Sequence, residues 1–246
     1  MNELDNIQYS PIRSHPYKQW FRDVQFNGKI LNTTERKEFI AIADETISGY
    51  YEWLPMISSE LERIKDLHDE YHEMYRTLLS VMSFVMITMI DSMAISKYFI
   101  LADKDYDRRF MRGKMKVILN EGFKKLYGFN DNTKKDSEWN RLTPILKYFP
   151  KEILKQHQEL SILLEGHSKS SSWWRDERNV ETHFDARKLY DSRCEEVVES
   201  KVMMDSLKLF NALYAVAGFL INMHVCINNF LINKYQRGEL KEEQFK

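Results

Sequence analysis

An all-α fold is predicted for this chain: an up-and-down bundle of long helices preceded by an irregular N-terminal arm. Three observations carry that prediction. Among 246 residues there are only 8 glycines and 5 prolines, so turns are few and regular elements long. Apolar residues recur at three- and four-residue spacing, most clearly at Leu209, Leu213, Val216, Leu220, Met223 and Ile227, the repeat of a helix face turned into a core. Between Lys208 and Lys234 no side chain carries a formal charge, which suits the central helix of a bundle. The chain is long enough for one sizeable core, and no internal repeat or linker divides it. The expected organisation is an arm over 1–33, one helical domain over 34–235 and a polar tail over 236–246.

The elements follow in order. Pro11 and Pro16 interrupt the arm, and Asn27-Gly28 is a tight-turn signal between Val24-Gln25-Phe26 and Lys29-Ile30-Leu31, which makes a small hairpin the expectation there. Asn32 and Glu35 have the spacing of a capping box and open a helix to about Trp53, where Pro55 is expected to end it. A long helical stretch follows from Ser58 to Ala102, charged in its first half and apolar in its second. The next helix spans Asp105 to Tyr127, with Gly128 as its C-terminal cap. Asn130 to Asp136 reads as a polar loop, Ser137 to Tyr148 as a short helix, and Pro150 opens a helix from Lys151 to Glu165. The run Gly166-His167-Ser168-Lys169-Ser170-Ser171-Ser172 reads as a loop. Two helices complete the chain, Trp173 to Ser192 and Glu195 to Tyr235.

A formal net charge of -1 excludes bulk attraction to nucleic acid, so any phosphate binding must come from a local patch. Cys194 and Cys226 lack metal-ligand spacing and read as reduced thiols of a cytoplasmic protein. The N-terminus carries neither a basic region nor an apolar core, so no signal peptide is expected. The uncharged run between Lys208 and Lys234 is long enough to span a bilayer. It nevertheless contains Asn211, Asn222, His224, Asn228, Asn229 and Asn233, each costly in hydrocarbon without a partner. A core helix with no stable membrane insertion is the expectation, and the uncharged run Leu78 to Ile90 is too short to span.

Chemistry concentrates in Arg178-Asn179-Val180-Glu181-Thr182-His183. An imidazole with an ordinary pKa near ~6.5 moves protons at neutral pH, and a guanidinium holds a phosphate in a fixed fork. Those are the side chains a metal-free ribonuclease needs. The Arg-x4-His spacing occurs twice, since Arg63 and His68 share it. The second copy alone has a polar residue after its arginine and follows a serine-rich segment, whereas the first lies in a charge-rich solvated face. On an ideal helix Asn179 and His183 share a face, with Arg175 on the same stripe, while Arg178 and His183 are about 140° apart. One histidine supplies either the base for a 2'-hydroxyl or the acid for a departing 5'-oxygen, but not both.

Arg178-Asn179-x3-His183 resembles the signature of the HEPN superfamily: an arginine, a polar residue, three variable residues and a histidine. The resemblance covers the motif and the helix order of roughly residues 60–235. It implies an up-and-down helical bundle, a homodimer whose two motifs meet at a composite site, and metal-independent RNA cleavage without a cofactor. In that reading Arg178, Asn179 and His183 are catalytic and Arg175 assists in binding. A toxin–antitoxin or phage-defence setting is also implied, with an antitoxin or regulatory protein as partner. The alternative is a non-catalytic HEPN-like helical dimer that binds protein or RNA. In the branch of the family silenced by nucleotidylation a tyrosine stands two places after the histidine. Here that position is Asp185, so this form of regulation is not expected.

Lesser constellations complete the reading. Arg109, Arg112 and Lys116 share one helical face and are candidates to track an RNA backbone. The plainer reading is a solvated face balanced by Asp103, Asp105 and Asp107. Asp91 is the lone charge in an apolar run and is expected to be buried or half-buried, with Arg178 or the next helix supplying its cation, so that it either orients the motif arginine or forms a plain structural ion pair. His68 and His72 stand four apart with no third ligand, so no metal site is expected. Trp173, Trp174, Phe184 and Tyr190 either stack on bases or pack.

Overall fold

A computed structural model describes residues 15–24, 31–66, 69–170, 174 and 199–238. All of its regular structure among these residues is helical: α1 (Pro16–Val24), α2 (Thr33–Arg63), α3 (Glu70–Leu101), α4 (Asp105–Leu126), the short α5 (Asp131–Lys135) and α6 (Glu138–Arg141), a 3-10 turn (Thr143–Tyr148), α7 (Lys151–Ser170) and α8 (Glu199–Gln236). The all-α bundle is as expected. Central α3 packs against α2, α4 and α8, while α7 lies along α8. Leu78, Val81, Val85 and Met89 of α3 meet Leu119 and Phe123 of α4 and Leu213, Val216 and Leu220 of α8, all fully enclosed. Each such side chain contributes roughly 1.5–3 kcal/mol of burial free energy. Gly122 lets the three helices close up: a Cβ there would lie 3.0 Å from Thr88 Cγ2 and 3.4 Å from Leu209 Cδ2.

The expectation of an irregular arm over 1–33 is corrected for residues 16–24. Pro16 starts α1 rather than interrupting the chain, because its missing N–H falls where a first helical turn has no partner to lose. Tyr17, Trp20, Phe21 and Val24, at helical spacing, are all buried, and the Trp20 indole N–H donates to the Glu35 carbonyl. α1 packs on α2 and α8, so it belongs to the core of the bundle. Val24 closes this helix, so no strand starts there; the remainder of the expected hairpin, 25–30, lies outside the described residues.

His15 pins the start of α1. Its Nδ1 accepts from the Tyr17 backbone N–H at 3.1 Å, and its Nε2 lies 3.1 Å from Thr46 Oγ1. Thr46 donates its own proton to the Ile42 carbonyl, so Nε2 carries the hydrogen of a neutral ring. The ring sits edge-on between Phe210 and Tyr214, and burial lowers its pKa to about 4 from an ordinary 6.5. Above pH 6.5 the ring is neutral whether the chain is folded or not. Between 6.5 and 4 the unfolded chain gains a proton that the folded chain refuses, so stability falls as pH falls, by up to about 3 kcal/mol. Urea midpoints measured from pH 7 to pH 5 should fall in the native protein. In His15→Gln, which keeps a hydrogen-bonding side chain without a titrating ring, that pH dependence should be visibly flatter.

Asn32 caps α2 as expected. Its side chain accepts from Glu35 N at 2.9 Å, and Glu35 accepts from Asn32 N at 3.0 Å. Pro55, by contrast, does not end α2. Pro55 and Tyr51, the residue whose carbonyl loses its helical donor, are both exposed, so water takes the vacated bond. The expected stretch Ser58 to Ala102 is therefore two helices, broken after Arg63 and restarted by Asp69, whose carboxylate caps the N–H groups of Tyr71 and His72.

The expected loop Asn130 to Asp136 holds α5, closed at its start by a reciprocal Asn130–Thr133 cap. Gly128 has φ +88°, the left-handed conformation expected of a helix-capping glycine. Gly166 to Ser170, also expected as loop, are the last turn of α7. α3 and residues Lys201–Phe230 of α8 are long and apolar enough to cross a membrane. Their most apolar windows are 56% and 67% buried within the bundle. The α3 window is longer than the uncharged run Leu78 to Ile90. Leu209, Leu213, Val216, Leu220, Met223 and Ile227 are all buried, as the core-helix reading expects. Cys226 is a buried thiol.

Candidate functional site

Arg175, Arg178, Asn179 and His183 lie outside the described residues, as do Trp173, Phe184, Asp185, Tyr190 and Cys194. What is described is the ground on either side of them: the end of α7, Trp174, and α8 from Glu199. Trp174 directly precedes Arg175 in the chain and is 3% exposed. Its φ of +54° is a strained conformation for a residue with a side chain, costing on the order of 1–3 kcal/mol. Packing around the indole compensates. The ammonium groups of Lys116 from α4 and Lys201 from α8 lie 4.6 Å and 5.0 Å from the ring, and such cation–π contacts contribute roughly 0.5–2 kcal/mol each. The indole N–H donates to Asp205 Oδ2 at 3.1 Å, and Asp205 Oδ1 accepts from Lys208 Nζ at 3.0 Å.

This cluster is the middle of a polar seam between α4 and α8. Arg112, Lys116 and Asn120 occupy successive turns of one α4 face and are buried. Asp205 and Ser206 face inward from α8, and Ser206 shares a hydrogen bond with Ser96 of α3. Buried charge is expensive unless it is paired, so Asp205, buried with Lys208 and the indole upon it, is a fixed point. At the outer end of the seam stands His167 from the last turn of α7. Burial first, and then the Lys208 charge, hold its imidazole below the ordinary histidine value, which keeps the ring neutral at pH 7. The neighbouring Ser168 hydroxyl donates to the Gly128 carbonyl at 3.2 Å.

Several expectations are corrected here. Arg109, Arg112 and Lys116 do not form an exposed track. Arg109 is half-buried and bonded to Asp105 at 2.7 Å, while Arg112 and Lys116 point into the bundle. The reason is the seam itself, which gives α4 a polar inner stripe that composition cannot distinguish from a solvated one. Asp91 is exposed, not buried. It stands on the outer face of α3, where partial desolvation raises its carboxyl above the ordinary value, and it makes no ion pair among the described residues. Trp174 packs, and does not stand ready to stack on a base. In the first Arg-x4-His copy Arg63 is bonded to Glu60, and His68 lies outside the described residues. His72 is turned onto Asp69, and among the described residues no group of three or more His, Cys, Asp or Glu side chains is placed to hold a metal ion.

Sequence reasoning missed His167, Lys201, Asp205 and Lys208. Two signals existed for them: Asp205 is the one acid in α8 between Lys201 and Lys208, and His167 is one helical turn from Leu164 and so on a packed face. The seam can fix an indole and the adjoining chain in one place, gather ammonium groups there and keep a neutral imidazole at its edge. No family model matches the chain, and no curated protein or solved structure is significantly similar to it.

Proposed function

We propose that this chain is a homodimeric, metal-independent endoribonuclease of HEPN type in a toxin or phage-defence role. Arg178, Asn179 and His183 of both protomers would form its composite site. One imidazole removes the proton of a 2'-hydroxyl as its oxygen bonds to the adjacent phosphorus. The P–O5' bond breaks, and the 5'-oxygen takes a proton from the second imidazole or from water. The products are a 2',3'-cyclic phosphate and a 5'-hydroxyl. The paired guanidinium groups stabilise charge on the five-coordinate phosphorus.

The observation that supports this reading is the fixed position of Trp174. Its indole is clamped by Lys116, Lys201 and Asp205, so the chain leaves a rigid, cation-rich point directly before Arg175. Covalent geometry keeps Arg178 within about 14 Å of that point, at most ~3.6 Å per residue. The long apolar α8 that follows the segment suits the order in which the superfamily carries its motif.

His183→Ala and Arg178→Ala are each expected to lower cleavage of a single-stranded RNA panel at least 100-fold. Circular dichroism and the dimeric mass should stay unchanged, as should the activity of the native protein in EDTA. Equal cleavage by native protein and both variants refutes the proposal. RNA binding without cleavage by the native dimer turns it to the non-catalytic alternative.

A further inference from the structure

A second candidate site is lined by residues that share none with the seam around Trp174. The C-terminal half of α2, the first turns of α3 and the last turns of α8 enclose a cleft of about 330 Å³. Its floor is apolar and fully covered by protein, with Ile57 3%, Leu79 1% and Met82 2% exposed. Its rim is apolar and open to water, at Trp53, Met56 and Ile232. Large side chains left exposed around a dry floor are what a bound apolar body would cover. The volume falls within the range of small-molecule sites and has room for roughly eleven water-sized groups.

One edge of the cleft is polar and ordered. His224 Nδ1 lies 3.3 Å from Asn228 Nδ2, and His224 Nε2 lies 3.0 Å from Tyr75 Oη. With the amide donating to Nδ1, the ring hydrogen sits on Nε2 and is donated to the phenol oxygen. The phenol's own hydrogen is then left to donate into the cleft. Beside this chain Glu60 and Arg63 bond to each other at 2.5 Å. Burial lowers the His224 pKa, opposed by the nearby Glu60 charge. Burial, with Glu60 adding to it, pushes Tyr75 up to about 12. Both rings are therefore uncharged at pH 7, and among the described lining residues the formal charges of Glu60 and Arg63 cancel. An anion would meet Glu60, and a cation would meet Arg63.

We infer that this cleft is a binding site for a neutral, largely hydrocarbon small molecule bearing one hydrogen-bond acceptor, which the Tyr75 hydroxyl engages. The site is independent of the motif in residues 175–183 and stands or falls separately from the nuclease reading.

The test is isothermal titration of the full chain with 2-acetylnaphthalene, 2-naphthoate and 2-naphthylmethylammonium. The ketone should bind saturably with one site per chain, and each charged probe at least tenfold more weakly. Tyr75→Phe keeps the ring and is expected to weaken the ketone about fivefold, the worth of one hydrogen bond. Met56→Glu alters only an exposed rim residue, so folding should persist, and it should abolish saturable binding. Native-like circular dichroism of both variants at the titration temperature shows that the losses are local. Absence of saturable ketone binding, equal or tighter binding of a charged probe, or indifference to both substitutions overturns the inference. So does a self-association that Met56→Glu abolishes, because a second copy of the chain would then be what covers the rim.

Discussion

Trp174→Ala should lower the unfolding free energy by roughly 3–5 kcal/mol, the range for removing a buried indole. The magnitude reflects what surrounds the ring. Truncation leaves a void between α4 and α8, removes the aromatic face from Lys116 and Lys201, and takes one of the two donors from buried Asp205. Alanine also inherits the positive φ, so no backbone strain is released in exchange. Trp174→Phe separates these contributions. It retains a ring for both ammonium groups but cannot donate to Asp205, and should cost about 1–2 kcal/mol. Chemical denaturation of the three proteins checks the order. A functional consequence follows under the nuclease reading. Catalysis by positioned groups is steep in distance, and a displacement of about 1 Å costs on the order of 100-fold. If Trp174 sets where Arg178 begins, cleavage by Trp174→Ala should drop at least tenfold at a temperature where the variant remains folded. Unchanged stability would show that the indole does not hold the seam together, and unchanged cleavage would detach it from the motif.

How much of this was legible beforehand differs from feature to feature, for physical reasons. Backbone signals that act locally were readable: Asn32 with Glu35 as a reciprocal cap, Gly128 as a helix stop, and the apolar repeat through α8. Each depends on neighbours within a few residues. Prolines were harder, because the effect of a proline depends on its position within an element. Pro16 starts a helix whose apolar stripe, Tyr17, Trp20, Phe21 and Val24, was present in the sequence, and Pro55 is tolerated because its vacated carbonyl faces water. Polar residues were the least legible. Gly166 to Ser170 have the composition of a loop yet complete α7, where Ser168 finds the Gly128 carbonyl and His167 faces Lys208. Arg112 and Lys116 have the spacing of a surface stripe yet lie inside, and Asp91, alone among apolar neighbours, lies outside. For the residues that lie inside, the deciding partner is far away in sequence: the Gly128 carbonyl for Ser168 and the Trp174 ring for Lys116. The same holds for the cleft, whose lining is drawn from residues as distant as Trp53 and Ile232.

Gly128→Ala is expected to be the most damaging single-methyl change available at the α4–α5 corner. Its φ of +88° costs any L side chain on the order of 1–3 kcal/mol. Space is a separate obstacle: a Cβ would lie 2.6 Å from the Lys134 nitrogen, 2.6 Å from the Thr133 carbonyl carbon and 2.8 Å from its oxygen. These are backbone atoms of α5, held by the Asn130–Thr133 cap, so no flexible side chain can give way. Forcing them apart adds roughly 1–3 kcal/mol, for a total near 2–6 kcal/mol and a fall in Tm of about 4–24 °C. The damage should spread along α7, since Glu165 bonds to both Lys134 and Tyr127 while Ser168 donates to the Gly128 carbonyl. Gly128→Asn distinguishes the two causes. Asparagine tolerates left-handed backbone better than alanine does, but it carries the same Cβ. If the steric contact dominates, both variants unfold at nearly the same lowered temperature; recovery of most of the loss by asparagine would mean that backbone strain dominates and that α5 can move. A Tm within 2 °C of the native value for Gly128→Ala would show that this corner is not packed as tightly as the distances to Thr133 and Lys134 require.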